Sequence, residues 1–345
     1  MLERAELQAA VAAGVIDAQQ GERLLAFFAA RGAATRESND PDDERFRLVG
    51  GFNDVFVTIG IVLVFTALAF LLGSVIALPF VGAGVSWGLA EIFTRRRRMA
   101  LPSIVLAIAF VVSCAGVGAY LTGDVSKISE SAIKSGVLLL PGAAAILGAG
   151  AHYFRFRVPI DVALGFVSLQ GIVAVLFMLY ASTWLIDHLA AYALAMGLLA
   201  FAAAMAFDFS DPARITHRAD IAFWLHLVAA PLLVHGILAG FIGASRFGGE
   251  HAGVVLAVTL VFTLVALIVD RRAMIVSALA YAGGSIAYLL NGGGSTNIVS
   301  VSATLLVLGG CILLLSIGWR WLRALIVPLI PLGAVKRRLP PLHPA

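Results

Sequence analysis

Hydrophobic and polar positions alternate in long blocks along most of this chain. From residue 52 onward, apolar runs of about twenty residues, the length that a helix needs to cross roughly 30 Å of hydrocarbon, are separated by short polar segments. The pattern predicts an all-α, polytopic transmembrane helix bundle between residues 52 and 318. The ten predicted spans are residues 53–73, 75–93, 100–120, 136–154, 158–181, 184–207, 220–243, 252–269, 274–290 and 297–318.

The first 51 residues lack such runs and are mostly polar. Residues 1–32 have the pattern of a cytosolic helical hairpin, in which Gly14 ends the first helix and Asp17 with Gln20 forms a capping box for the second. Residues 33–51 contain an acidic, proline-containing run that is typical of a linker. Because the hairpin is too small to bury much core alone, we expect it to dock on the membrane domain or on a partner.

The segment after the last predicted span, residues 319–345, begins with Trp and Arg residues and continues into an apolar run that contains Pro328 and Pro331. This run is too short to cross a bilayer, and segments with aromatic and basic anchors often lie along the membrane surface. We therefore expect an interfacial segment followed by a basic cytosolic tail.

The positions of the basic residues predict the topology of the chain. Loops that remain in the cytoplasm are enriched in Lys and Arg. If the N-terminus is cytoplasmic, all but three of the 24 Lys and Arg residues fall on the cytoplasmic side of the ten spans. The three exceptions are Lys127, Lys134 and Arg246. Both termini are thus predicted to be cytoplasmic, and the arginine-rich loops are expected to contact anionic lipid headgroups.

Composition agrees with a lipid environment. The chain is 61% hydrophobic and 13% charged, whereas soluble domains are roughly 45–50% apolar and about 25% charged. The net charge of +4 is explained by the topology, so no nucleic-acid partner is expected. The two cysteines, Cys114 and Cys311, lie in separate apolar spans, which excludes a CxxC site and a disulfide framework.

Several enzyme signatures are absent from the sequence. There is no GxxxxGK[ST] phosphate loop, no HExxH zinc motif and no GxSxG nucleophile motif. These absences argue against ATP-driven transport by this chain alone, and they favour a protein without enzyme activity while leaving a membrane-embedded enzyme with another kind of site open. No metal site or cofactor is expected.

The seventh predicted span attracts attention because it carries His226 and His235. With Asp187 and His188 of the neighbouring span, they form a candidate intramembrane polar cluster, since ionisable groups at membrane depth often mark ion or proton pathways. Nine residues place the two histidines on opposite helix faces, about 13.5 Å apart along the axis, so they do not share a metal ion. The structural alternative is that each histidine hydrogen-bonds a neighbouring helix, that Asp187 caps its helix and that His188 faces the interface.

A second candidate site is an inner vestibule for a cation or proton, formed by Asp54, Glu91, Asp161 and Asp220 near the cytoplasmic ends of the spans. The structural alternative also fits the sequence. The three aspartates lie in the first turns of helices, where the helix dipole favours a carboxylate. Glu91 precedes Arg95 by four residues, which is the spacing of an ordinary helical ion pair.

Two stretches of the chain carry a resemblance to known proteins. They are Leu2 with Gly14-Val15-Ile16-Asp17 and Gln20, and the segment WLHLVAAPLLVH from Trp224 to His235. On these residues the chain resembles uncharacterised bacterial multi-spanning inner-membrane proteins that begin with a short cytosolic hairpin. The resemblance implies an integral protein of the bacterial inner membrane, and it supplies no catalytic residues.

Two functions remain open at this point. The first is a permease-like or channel-like protein, in which the polar cluster lines a path for a small solute, ion or proton. The second is a non-transporting membrane scaffold or sensor, in which residues 1–32 recruit a cytosolic protein and the polar residues hold the helices together.

Overall fold

The computed structural model describes residues 13–15, 17–24, 52–72, 77–123, 136–242, 251–290, 298–331 and 333–340. The chain divides into two compact units, Met1–Phe46 and Arg47–Ala345. In the first unit, the backbone N–H of Gln20 donates to Asp17 Oδ1 and the backbone N–H of Asp17 donates to Gln20 Oε1. These reciprocal bonds confirm the predicted capping box, while the first helix of the hairpin and the linker at residues 33–51 lie outside the described residues.

The described part of the second unit consists of helices and turns, without strands. Its helices are α1 (Phe52–Leu72), α2 (Ala77–Ala90), α3 (Ala100–Thr122), α4 (Leu140–Phe156), α5 (Ile160–Tyr180), α6 (Ser182–Asp187), α7 (Leu189–Ser210), α8 (His217–Ile242), α9 (Ala252–Val269), α10 (Ala273–Leu290) and α11 (Ile298–Ile326). A π-helical turn, Glu91–Arg96, extends α2, and a 3₁₀ turn, Val137–Leu139, precedes α4. The predicted all-α class is confirmed.

Among the described residues, nine helices are long and apolar enough to cross a membrane. The remaining apolar helix, α10, lies where the ninth span was predicted. The chain is therefore a multi-spanning helical membrane protein.

Two helix boundaries differ from the prediction. The sixth span begins at Leu189, because the preceding residues form the separate short helix α6. The last span does not end at residue 318 but continues to Ile326. Trp319 and Arg323, which we expected in an interfacial segment, are 2% exposed and bind buried partners. These bonds pack the extra turns of α11 against the bundle.

The long helices pack as two groups of five, α1–α5 and α7–α11, and α5 contacts α8 between them. Helix α8 is the most buried of the membrane-length helices. Of its most apolar 18-residue segment, 56% of the residues are buried, against 6% for α1. An apolar cluster at the α5–α8 contact contains Ala163 of α5, Ala204 of α7, and Ile221 and Leu225 of α8. The helix that carries His226 and His235 is thus the most buried of the membrane-length helices.

Helices α7 and α8 form the closest helix pair of the second group. A Cβ atom added to Gly236 would lie 2.7 Å from the backbone nitrogen of Leu194 and 2.9 Å from the carbonyl oxygen of Ala190. A Cβ atom added to Gly197 would lie 2.9 Å from the backbone nitrogen of Leu233. Small residues at these positions allow the two backbones to approach, as is common between membrane helices. This approach brings Asp208 of α7 to His226 of α8.

Candidate functional site

Most of the buried charged residues lie at one end of the bundle, which we call the arginine-rich end. It consists of the helix ends and turns at residues 52–54, 91–100, 152–161, 208–226, 269–273 and 319–326. Here the apolar helices α2, α4, α7 and α9 end, and α3, α5, α8 and α10 begin. Each connecting turn contains arginine, and Arg98, Arg157 and Arg214 adopt positive φ angles there.

The centre of this end is a buried group of Asp208, His226 and Arg271. The Nε2 atom of His226 lies 2.8 Å from Asp208 Oδ2. Arg271 donates from Nη2 to Asp208 Oδ1, from Nε to Asp208 Oδ2 at 3.3 Å, and from Nη2 to the Ala219 carbonyl at 3.0 Å. The three side chains come from α7, α8 and the turn between α9 and α10. They therefore tie three parts of the second group together.

Asp208 occupies a position that requires a cation. It lies in the last turn of α7, where the helix dipole disfavours a carboxylate, and it is only 4% exposed. A buried carboxylate is stable only when it is paired and hydrogen-bonded. Arg271 supplies that positive charge. An ionised carboxylate can only accept hydrogen bonds, so His226 Nε2 carries the hydrogen that it donates to Asp208. His226 Nδ1 has no hydrogen-bond partner among the described residues.

A second buried group surrounds Asp270, which ends α9 with a φ angle of 61°. Its Oδ2 atom lies 3.0 Å from Arg214 Nη1 and 3.3 Å from Arg323 Nη1. The indole nitrogen of Trp319 donates to its Oδ1 atom at 2.8 Å. Arg323 also donates from Nε to the Leu267 carbonyl at 3.0 Å. These bonds attach α11 to the end of α9.

A third buried pair lies in the first group of helices. His152 Nδ1, in the last turns of α4, lies 2.7 Å from Asp161 Oδ2, in the first turn of α5. Both side chains have no exposed surface. The imidazole is surrounded by the rings of Trp87, Phe110 and Phe156, with ring centroids 6.3, 5.6 and 4.6 Å away. Neither His152 Nε2 nor Asp161 Oδ1 has a hydrogen-bond partner within the described part of the chain.

The structure separates the residues of the predicted polar cluster. His226 binds Asp208 near the arginine-rich end, whereas Asp187 and His188 are exposed before the start of α7, about 30 Å from Asp208 along that helix. His188 stacks on the ring of Trp184, with centroids 4.9 Å apart. His235 Nδ1 lies 2.8 Å from the Tyr281 hydroxyl of α10. His226 and His235 thus each bond to a neighbouring helix, as the structural alternative predicted.

The predicted vestibule residues each have a different partner. Asp54 is buried and accepts the backbone N–H of Ala100 at 3.1 Å. Glu91 pairs with Arg95 at 3.2 Å, which confirms the predicted helical ion pair, and with Arg155 at 2.7 Å. Asp161 binds His152.

Asp220, the fourth vestibule residue, has a side chain that is 54% exposed and lies 3.7 Å from His217 Nδ1. All four vestibule residues therefore lie at the arginine-rich end, and Asp54, Glu91 and Asp161 are each part of a separate ion pair or cap. The fourth, Asp220, faces outward.

Sequence reasoning missed Asp208, His152 and the role of Arg271. Asp208 carried a usable signal, because a carboxylate in the last turn of an apolar helix opposes the helix dipole and implies a nearby cation. His152 carried a weaker signal as a single imidazole in an apolar run. Nothing in the sequence indicated that Arg271, one arginine among the many in the turns, was buried.

The described residues contain no group of three or more His, Cys, Asp or Glu side chains suited to hold a metal ion. Fold and site together define a multi-spanning helical membrane protein with buried ion pairs concentrated at its arginine-rich end. Comparison with protein-family models, curated proteins and solved structures found no match to this chain.

Proposed function

We propose that this protein is a permease that moves a small solute, an ion or a proton across the bacterial inner membrane, with both termini and the arginine-rich end in the cytoplasm. The observation that supports this best is the presence of two buried imidazole–carboxylate pairs on either side of the α5–α8 contact. One pair belongs to the first group of helices and the other to the second group.

The energetic cost of these pairs argues for a use beyond packing. Buried ionisable side chains are costly, and in membrane-spanning helices they commonly mark ion or proton pathways. Buried ion pairs can often be replaced by apolar side chains of similar volume with no loss of stability. Apolar side chains at these positions would hold the helices together at a lower cost in free energy.

The α5–α8 contact suggests how a path opens. Many transporters work by moving one bundle of helices against another around a central site. Here the moving parts are α1–α5 and α7–α11, and the apolar cluster of Ala163, Ala204, Ile221 and Leu225 is the surface that separates. Separation from the cytoplasmic side exposes both pairs, and the surrounding arginines attract anionic groups to the entrance.

Thiol accessibility tests this proposal without knowledge of the solute. Cys114 and Cys311 are first replaced by serine, because they are the two native thiols. Ala204→Cys then places a single thiol in the apolar cluster, where the side chain is 0% exposed. We expect a membrane-impermeant maleimide to label this thiol in inside-out vesicles, because the proposed movement exposes it to the cytoplasm.

Ala278→Cys is the matched control. Ala278 is 1% exposed and lies within the second group, where its carbonyl accepts a hydrogen bond from Thr259. A rigid group protects this thiol, so it should remain unlabelled under the conditions that label Ala204→Cys. Equal protection of both thiols would contradict the permease and favour a static bundle.

The exposed arginines Arg95–Arg98 support a proposed contact with anionic lipid headgroups. Reconstitution into vesicles with and without phosphatidylglycerol tests this contact. The Arg95–Arg98→Gln variant should lose any stabilisation that the anionic lipid gives.

A second candidate function is a scaffold or sensor that recruits a cytosolic protein through residues 1–32. The separate compact unit at Met1–Phe46, with its capped helix, favours this candidate. Deleting residues 1–32 distinguishes the two functions. A permease with a self-contained membrane domain should tolerate the deletion and keep both its cellular function and the Ala204→Cys labelling. Loss of all cellular function, with normal membrane insertion and normal labelling, would support the scaffold.

A further inference from the structure

We propose that His152 and Asp161 form a proton-binding site, and that a proton is the coupling ion of the proposed permease, a second step that rests on the proposed function. The turn between α4 and α5 builds this pair. Arg157 ends α4 in a left-handed conformation, and Pro159 starts α5. The reversal places Asp161, in the first turn of α5, against His152 one turn before the end of α4.

Charge distinguishes this pair from the one at Asp208. Asp208 is bound to Arg271, so its negative charge is compensated whether or not His226 carries an extra proton. Asp161 has an ion-pair contact with His152, and the described residues include no arginine or lysine in contact with it. The net charge of this buried pair therefore depends on a single proton.

The His152 ring lies in an aromatic environment. Trp87, Phe110 and Phe156 place three aromatic rings around the imidazole. Aromatic faces attract cations, and more strongly when water is excluded. The carboxylate of Asp161 contacts the ring at Nδ1. An imidazolium thus finds both an ionic partner and favourable ring contacts at this position.

The proton can be followed atom by atom. Before binding, neutral His152 donates its Nδ1 hydrogen to ionised Asp161, and the pair has one negative charge. A proton from water adds to the lone pair of His152 Nε2, an atom without a hydrogen-bond partner among the described residues. The ring becomes an imidazolium and the pair becomes neutral overall. Release returns the proton from Nε2 to water, and no other bond changes.

Access to the pair depends on the α5–α8 contact. His152 and Asp161 have no exposed side-chain surface. Val162 and Ala163, which follow Asp161, belong to the apolar cluster with Ile221 and Leu225 of α8. Water reaches the pair when this cluster separates, so proton exchange and the opening of the proposed path use the same movement.

Other ionisable groups nearby have their own environments. On α2, Glu91 is paired with Arg95 and Arg155. On α3, the Cys114 thiol lies beside Gly148, one turn before His152 on α4. On α8, His226 is paired with Asp208. Asp161 is the ionisable group in direct contact with the His152 ring, which makes it the group to change.

Histidine NMR of the full-length protein in lipid nanodiscs tests the site. The chain contains seven histidines, and His152→Gln identifies the His152 ring signals by their loss. We expect the chemical shifts of this ring to change with the pH of the buffer, because proton addition at Nε2 changes the charge of the ring. In Asp161→Asn, the pH at which these signals change should differ from that of the native chain, because the ionic partner is lost.

Two further variants keep the result decisive. If His152→Gln does not fold, Trp87→Phe identifies the same signals through the altered ring-current shift. Asp208→Asn is the matched control, and it should leave the pH at which the His152 signals change unaltered. A His152 ring that does not respond to pH, or one whose signals change at the same pH in Asp161→Asn, would overturn the proposal.

This measurement is independent of transport. If the ring responds to pH as expected but Ala204→Cys is never labelled, the proposed proton site is supported and the proposed permease function is contradicted. If Ala204→Cys is labelled and the ring does not respond to pH, the permease stands with another coupling ion or none.

Discussion

His226 and Asp208 form a hydrogen bond of 2.8 Å between α8 and α7, about 14 Å along α8 from its first residue. The bond exists because the two helices approach closely at Gly197 and Gly236. It also depends on Arg271, which neutralises the carboxylate that the imidazole contacts. Backbone packing, charge compensation and the histidine bond are therefore parts of one arrangement.

Arg271→Met should destabilise the protein strongly. Methionine also has a long, unbranched side chain, but it has no charge and leaves Asp208 buried without its cation. Removal of one partner from a buried ion pair typically costs about 3–5 kcal/mol. We expect a loss of this size in the free energy of unfolding, measured by denaturant titration of the purified protein in mixed micelles.

Two variants identify the cause of that loss. Arg218→Met changes an exposed arginine at the same end of the bundle and should have little effect. Asp208→Asn combined with Arg271→Met removes both charges and should recover much of the lost stability. If the double variant is as unstable as the sum of the two single variants, the charge pair is not the origin of the effect.

Gly236→Ala should weaken the contact between α7 and α8. The new Cβ atom would lie within 3 Å of backbone atoms of Leu194 and Ala190, which cannot move aside as a side chain can. Overpacking of this kind costs roughly 1–3 kcal/mol. The melting temperature of the detergent-solubilised protein should fall.

Gly240→Ala provides the comparison for this prediction, because no atom lies within 4 Å of its added Cβ. Alanine is the better helix former, so this variant should be as stable as the native chain or slightly more stable. A melting temperature that falls equally in both variants would mean that packing between the two helices is not the cause.

The sequence predicted the class of the fold because apolar runs of membrane length leave few alternatives. It also identified α8, since His226 and His235 are conspicuous in an apolar segment. It did not identify the partners of these histidines. Asp208 lies 18 positions before His226, and Tyr281 lies 46 positions after His235. Such contacts are set by helix packing, and local periodicity carries no information about them.

The end of α11 illustrates a different limit. The run from Trp319 resembled an interfacial segment because its arginines were assigned to the membrane surface. Burial of Arg323 depends on Asp270, which is 53 residues earlier in the chain and ends a different helix. Hydropathy assigns a cost to each arginine by itself. A prediction from hydropathy therefore ends the span at an arginine whose ionic partner is distant in the sequence.

Trp319 and Trp321 should differ sharply in their access to an aqueous quencher. Trp319 is 2% exposed and bonded to Asp270, whereas Trp321 is 61% exposed. We expect Trp321→Phe to reduce the fraction of fluorescence that acrylamide quenches, and Trp319→Phe to raise that fraction, because it removes an emitter that acrylamide does not reach. The reverse result would place α11 in a different orientation and would restore the interfacial segment.

Tyr281→Phe should reveal whether His235 has a role beyond holding α8 to α10. The substitution removes the hydroxyl that lies 2.8 Å from His235 Nδ1 and preserves the ring. Hydrogen bonds between membrane helices contribute about 0.6 kcal/mol on average, so only a small loss of stability is expected. Tyr180→Phe, at a tyrosine that is 74% exposed, is the control for the loss of a hydroxyl alone.

The labelling of Ala204→Cys separates two roles of the bond between His235 and Tyr281. If Tyr281→Phe causes only this small loss of stability but abolishes the labelling, the bond takes part in the movement of the bundle. If labelling persists at the native rate, the bond between His235 and Tyr281 serves only to join the two helices.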